Sequence, residues 1–270
     1  MNSVLALVAK RLIPPDLQPR FIDFYAKYKY ALINFHCPFC EKRHSHLLPA
    51  GYYLPALKDK KVVGAGYRLH AVCPGCGSSD RERLVYLYLT TETDVFHKRI
   101  KLLHVAPEEN LQRVFRKSPN IDYLSADLDP SKAMIRMDIS DIHYEDSTFD
   151  VIICNHVLEH VPDDKRAMGE IYRVLKPGGW AILQVPISMV LDATFEDVTA
   201  QTPQERERLF GQEDHVRIYA RDYRDRLEGV GFFVEVFDPL EEFGWVTVFR
   251  NALLRGERIY IGRKEDAEDT

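Results

Sequence analysis

Four of the chain's five cysteines fall in two pairs, Cys37-Pro38-Phe39-Cys40 and Cys73-Pro74-Gly75-Cys76. A two-residue gap lets consecutive thiolates converge on one tetrahedral ion. Zinc suits four soft thiolates in a closed site, and such a site is structural because no coordination position stays open. Gly77 follows the last cysteine and eases the tight turn of a knuckle. His36, His44, His46 and His70 lie close in sequence, and any one could replace a cysteine ligand. A redox pair and two unlinked surface motifs are the competing readings. Residues 41–72 make a long loop for a minimal zinc ribbon. The fifth cysteine, Cys154, stands in an apolar run and reads as core.

A second group of polar residues stands where apolar runs end. Glu108 and Asn110 follow IKLLHVA (100–106), Asp127 and Asp129 close IDYLSADL (121–128), and Asp138 closes MIRMD (134–138). Asn155 and His156 follow FDVIIC, and His215 and Tyr219 lie in the polar stretch EDHVRIY. The runs that carry them read as strands, joined by WAILQVP (180–186), FFVEVFD (232–238) and RIYIGRK (258–264). Between them lie amphipathic helices. Ser79-Asp80-Arg81-Glu82 fits a capping box opening a helix through RERLVYLYL. DDKRAMGEIYRVL puts Ala167, Ile171, Val174 and Leu175 on one face and stops at Lys176-Pro177-Gly178-Gly179, read as a turn. Continuous apolar strands alternating with such helices predict an α/β domain, a parallel sheet covered on both faces. The polar, partly helical residues 187–219 fall at the carboxyl edge of that sheet, where a substrate lid belongs.

FDVIICNHVLEHVPDDKRAMGEIYRVLKPGGWAILQVP, residues 149–186, resembles the signature of class I S-adenosylmethionine-dependent methyltransferases, particularly the type 11 group. The order of elements is similar from Ile100 to about Gly231. The resemblance implies a Rossmann-like sheet of seven strands, the last antiparallel, with S-adenosylmethionine as cofactor and an unidentified methyl acceptor. It also implies roles. Asp127 would accept hydrogen bonds from both ribose hydroxyls, with Asp129 the competing residue and helix capping the alternative. Asp138 would meet the adenine amino group while Ile139 packs on the ring. Ala106 and Glu108 would form the cofactor loop, and Asn155 and His156 would stand where donor and acceptor meet. His156 or His215 could take a proton from the acceptor; His215 and Tyr219 read equally as substrate contacts or as a locally paired segment. Glu159 and His160 read as structural.

The departure from the family pattern is the first loop, Ala106-Pro107-Glu108-Glu109-Asn110, which has no glycine. A cofactor without phosphates needs no dense anion nest. Glu108 could attract its ammonium or sulfonium side, and Asn110 tolerates a left-handed backbone.

The 270 residues divide into a helical segment 1–35, a zinc-ribbon-like module 36–78 and a methyltransferase domain 79–270. Hydrophobic residues make up 46% and charged residues 29%, a globular balance. The formal net charge of -5 gives no general attraction for nucleic acid, which leaves an RNA methyltransferase as the lesser enzyme reading. A cofactor-fold binding module without activity is the third reading. Val4, Leu5, Val8 and Leu12 suggest a short amphipathic helix ending at Pro14-Pro15, not a signal peptide. No apolar run suits a membrane span. The cytoplasm, where thiols stay reduced, is the expected compartment; the oligomeric state is not read from the sequence.

Overall fold

Leu102 and Leu103 point to opposite faces of one strand, and both are fully buried. That is why IKLLHV reads as an unbroken apolar run: a strand covered on both sides has no polar face to alternate with. The structure, a computed structural model, describes residues 34–266; the helix expected around Val4–Leu12 lies outside them. Among the described residues a seven-stranded sheet comprises β1 (Ile100–Val105), β2 (Ile121–Asp127), β3 (Ile135–Arg136), β4 (Phe149–Cys154), β5 (Leu175–Ile182), β6 (Phe233–Phe237) and β7 (Ile259–Arg263). Their spatial order is β3-β2-β1-β4-β5-β7-β6. β1 to β5 run parallel, and β7 lies antiparallel between β5 and β6. This is the Rossmann-like methyltransferase sheet, with its last strand reversed as expected.

Helices α1 (Asp80–Thr91) and α2 (Glu109–Lys117) cover one face, where Leu84, Tyr88, Leu111 and Phe115 pack on Leu102, Val151, Ile153 and Ile259. Helices α3 (Asp164–Val174) and α4 (Tyr223–Glu228) cover the other with Ala167, Met168, Ile171 and Leu227 against Leu103, Ile152 and Ala181. The Lys176–Gly179 stretch is not a free turn, as the sequence suggested, but a bulge inside β5. The pairing with β4 jumps from Leu175↔Phe149 to Trp180↔Val151. Proline and glycine punctuate a bulge as they do a turn. Gly179 is required there, since a Cβ would lie 2.8 Å from the Lys176 carbonyl oxygen. The Lys264 ammonium donates to the carbonyls of Tyr172, Arg173 and Leu175, closing the end of α3 with a favourable charge.

The amino-terminal part has two knuckles. Cys37 N–H donates to the Lys42 carbonyl at 3.0 Å, and Cys73 N–H to the Ser78 carbonyl at 2.9 Å. Gly77 takes the expected left-handed backbone, φ +77°, and Glu41 takes the equivalent turn in the first knuckle with φ +55°. The long stretch between the pairs has its own purpose. A ladder of Leu48–Ala50 with Arg68–Val72 carries the chain out and back. Its loop holds a short helix, Pro55–Asp59, and a strand, Val62–Val63, that pairs antiparallel with Ile187–Ser188 at the start of the expected lid. The surplus over a minimal ribbon therefore covers the carboxyl edge of the sheet.

Candidate functional site

The chain moves outward from β1 to β3 and then returns to β4, so β1 and β4 flank a topological switch point, where open α/β sheets bind ligands. The loop after β1 turns there at Ala106, which adopts φ +46°. The left-handed turn that glycine favours is thus present without glycine, at a side chain small enough to bear it. Asn110 does not supply it, as the sequence reading suggested; Asn110 lies within α2. Its N–H and Nδ2 both donate to Oε1 of Glu82, whose Oε2 completes the Ser79 capping box of α1. One buried carboxylate therefore caps two helices.

That arrangement releases Glu108, the residue preceding α2, from any capping bond. Its Oε2 stands 2.6 Å from Nε2 of the fully buried His104, and its Oε1 accepts from Asn155 Nδ2 at 3.0 Å. His104 Nδ1 is fixed in turn by the Tyr123 hydroxyl at 3.1 Å. Burial raises the Glu108 carboxyl, but the His104 contact and the Asn155 amide outweigh it and hold it below the ordinary value. The side chain remains 24% exposed. Asn155 Oδ1 is buried with no hydrogen-bond partner, an acceptor left open at the switch point.

Asp127 ends β2, the next strand outward. Its Oδ1 accepts the Asp129 N–H at 2.8 Å, and its second oxygen has no partner among the described residues. The Asp129 carboxylate is exposed and turned to the Ser131 N–H and hydroxyl. Leu128 between them is 63% exposed, an apolar face beside Asp127 that sequence patterning alone did not single out. Asp138 is exposed and accepts the Ser140 N–H, while Ile139 is buried in the core rather than presented to an open cleft.

His156 follows Asn155 with φ +54°. Its Nδ1 lies 3.4 Å from Glu159 Oε1 and its Nε2 3.6 Å from Glu257 Oε1, and Gln184 Nε2 donates to that same Glu257 oxygen. Burial first, then the nearby Arg81 and Arg68, holds the His156 imidazole well below its ordinary pKa, and burial pushes both glutamates up to about 8. Gly64 seals this cluster from the amino-terminal side, its Cβ direction 3.4 Å from both His156 and Glu257. Glu257 and Gln184 lacked a sequence signal because each is a lone polar residue at a strand boundary. His215 is buried on the lid side of Glu159 and packs against His160 with ring centroids 4.6 Å apart. Tyr219 is fully buried with its hydroxyl on Asp164 at 2.8 Å, the locally paired alternative. Arg217 fastens residues 187–219 to the turn after β4: it donates to the Leu158, Val161 and Pro162 carbonyls and to Glu196.

The four cysteine sulfurs lie within 4.8 Å of one another, with Cys37–Cys76 at 3.5 Å and Cys40–Cys73 at 3.8 Å. A tetrahedron with metal–sulfur bonds of about 2.3 Å has edges of about 3.8 Å, so these residues fit zinc. Burial opposes ionisation of Cys37, yet the Ser78 hydroxyl and backbone amides bring its thiol down to about 7. His44 Nε2 stands 3.4 Å from Cys73 Sγ, beside the four sulfurs, while His36 turns to Asn251. Behind the knuckle, Arg83 is 0% exposed. Its five N–H groups donate to the carbonyls of His70, Ala71, Ser78, Asn251 and Ala252.

Residues 92–183 match the family model described as a methyltransferase domain. With the seven-stranded sheet, this assigns the span to the Rossmann-like methyltransferase fold. The 2-methyl-6-phytyl-1,4-hydroquinone methyltransferase 1, chloroplastic, of Oryza sativa subsp. japonica is 27% identical over 201 residues, covering 72% of this chain and 54% of that one. The chain thus spans about half the length of that curated relative. The crystal structure of the [4+2]-cyclase SpnF superposes with a TM-score of 0.50 at 16% identity, over 81% of this chain and 100% of the other. An S-adenosylmethionine-dependent methyltransferase from Mesorhizobium loti gives 0.47 at 14% identity, over 68% and 98%.

Proposed function

We propose that the protein is an S-adenosylmethionine-dependent methyltransferase whose acceptor, a small molecule or a glycan or lipid intermediate, enters beneath the lid of residues 187–219. The observation that supports this most is the switch-point cluster: left-handed Ala106, Glu108 held toward Asn155, and the unpartnered Asn155 Oδ1. The cofactor, when bound, supplies an electrophilic methyl group on a sulfonium. Asp127 accepts the ribose hydroxyls through its open oxygen, and Leu128 offers an apolar surface to the base. Asp138 takes the adenine amino group at the outer edge beside Ile139. Glu108 and Asn155 hold the methionine part by charge and hydrogen bonds. The lid and Val62–Gly64 exclude water and align the acceptor, the effects that matter most for a direct displacement. His156 is held neutral by burial and is the base for an acceptor that must lose a proton. The four cysteines hold a structural zinc, and the cytoplasm is the compartment that keeps them reduced.

Shared fold does not decide chemistry, and calorimetry with S-adenosylmethionine and S-adenosylhomocysteine tests the reading first. Micromolar binding, on the order of -8 kcal/mol, is expected. Asp127→Ala should weaken it by about 2–4 kcal/mol, since bonds to a charged group contribute ~1.5–3 each and are not additive. Asp129→Ala should leave it unchanged; the reverse pattern would transfer the ribose role. Glu108→Gln should also weaken binding, more so at low salt because the carboxylate is partly exposed. Absence of binding at millimolar ligand by folded protein overturns the enzyme reading, and binding without transfer of labelled methyl to any acceptor leaves the binding module.

A further inference from the structure

Away from the cysteines, a second set of metal-type donors converges. One carboxylate oxygen of Glu159 and one ring nitrogen each of His160 and His215 lie within 4.8 Å of one another. Glu159 and His160 belong to the turn after β4, and His215 comes from the lid, so no local periodicity brings them together. We propose that these three residues form a metal site for a divalent first-row transition ion, of the two-histidine, one-carboxylate kind.

Three further observations point to an ion rather than to a chance cluster. Glu159 is 2% exposed, and its Oε2 has no hydrogen-bond partner. A carboxylate oxygen left so in the interior is costly unless something binds it. The histidines, in contrast, are already oriented as ligands are. His160 Nδ1 faces the Asp214 carboxylate at 3.2 Å, leaving Nε2 for an ion. His215 is 2% exposed and has the Phe210 backbone beside its ring. Metal-bound histidines usually hold their second nitrogen in this manner, on a carboxylate or a backbone carbonyl. Two imidazoles and a carboxylate select zinc, iron or manganese over calcium or magnesium, and three protein ligands leave a position open for water or a substrate oxygen. The site joins the lid to the β4 turn at the acceptor side. Val216 N–H, one residue after His215, already donates to the Glu159 carbonyl at 2.9 Å. An ion would add a fixed point to that bond and to the Arg217 contacts with the Leu158, Val161 and Pro162 carbonyls. The assignment does not depend on the reaction the protein performs.

The full chain, purified from zinc-replete medium and then titrated with Co2+, provides the test. Cobalt entering this site should give weak ligand-field bands without thiolate charge transfer, which separates it from cobalt exchanging into the cysteine site. Elemental analysis of the fully loaded protein should find about two metals per chain, one in each site. His160→Gln, at the more exposed ligand, and Glu159→Gln should each abolish the thiolate-free bands while the cysteine site stays filled. Asp214→Asn should weaken binding by roughly 10–100-fold, as loss of an outer hydrogen-bond partner does. Wild-type protein that binds only at the cysteines, or unchanged thiolate-free bands in His160→Gln and Glu159→Gln, overturns the assignment.

Discussion

Arg83→Met is expected to destabilise the protein by about 3–5 kcal/mol, the range seen when one partner of a buried charged network is removed. Methionine fills similar volume but donates no hydrogen bond, so five carbonyls from three separate segments lose their donor at once. Urea denaturation reads the loss directly, and the thermal midpoint should fall by roughly 10 °C. Arg83→Lys keeps the charge with a shorter reach and fewer donors, so it should lie between wild type and methionine. A loss below about 1 kcal/mol for methionine would show that the carbonyls find water instead. The guanidinium's charge also matters: burial works against it, and the nearby Asp80 carboxylate favours it.

Removing the zinc proposed for the four cysteines is expected to have the larger effect. Structural zinc sites of this kind contribute on the order of 10–16 kcal/mol of apparent binding free energy, most of it realised as folding. Cys73→Ser or Cys37→Ser should abolish tight binding of the metal at the knuckles and unfold the ladder around them. The damage should not stop there. His70, Ala71 and Ser78 supply three of the five Arg83 acceptors, and Phe35, Cys37 and Cys73 pack with Ala252 and Phe249 of the carboxyl-terminal part. Circular dichroism with a strong chelator should therefore show loss of helix as well as of the knuckles. Elemental analysis that finds no zinc in the cysteine site of protein made with zinc available sinks this expectation.

What the sequence revealed and what it hid follow from how local each interaction is. IKLLHV, FDVIIC and WAILQV were legible as buried strands because burial on both faces leaves its mark on consecutive residues. The Ser79–Glu82 capping box was legible because its partners are three residues apart. Arg83 was not: an arginine in the first turn of a helix looks solvated, and its acceptors lie as far away as Ala252. Ala106 hid for another reason. Its left-handed backbone is imposed by the strand–turn–helix path, and alanine carries no signal for it. Asp129 competes with the preferred Asp127 in sequence; in the structure the Asp129 carboxylate turns to Ser131, while Asp127 keeps one oxygen without a partner among the described residues. The link from Glu82 to Asn110 explains how the glycine-free loop keeps its shape, since the support comes from a different helix.

The pairing of Val62–Val63 with Ile187–Ser188 has a consequence for biogenesis. A ribosome delivers the chain from its amino terminus, and early segments settle before later ones exist. Val62 and Val63 emerge long before their partners, so their strand edge must wait, unpaired, while the central strands are still being made. That edge of the molecule is therefore closed late, when two segments far apart in the chain meet over β1 to β5 while β6 and β7 are still to be made. Such late, long-range closure is slow relative to local folding. A chain released before Ile187 is made would carry both cysteine pairs and the switch point, but no roof over His156.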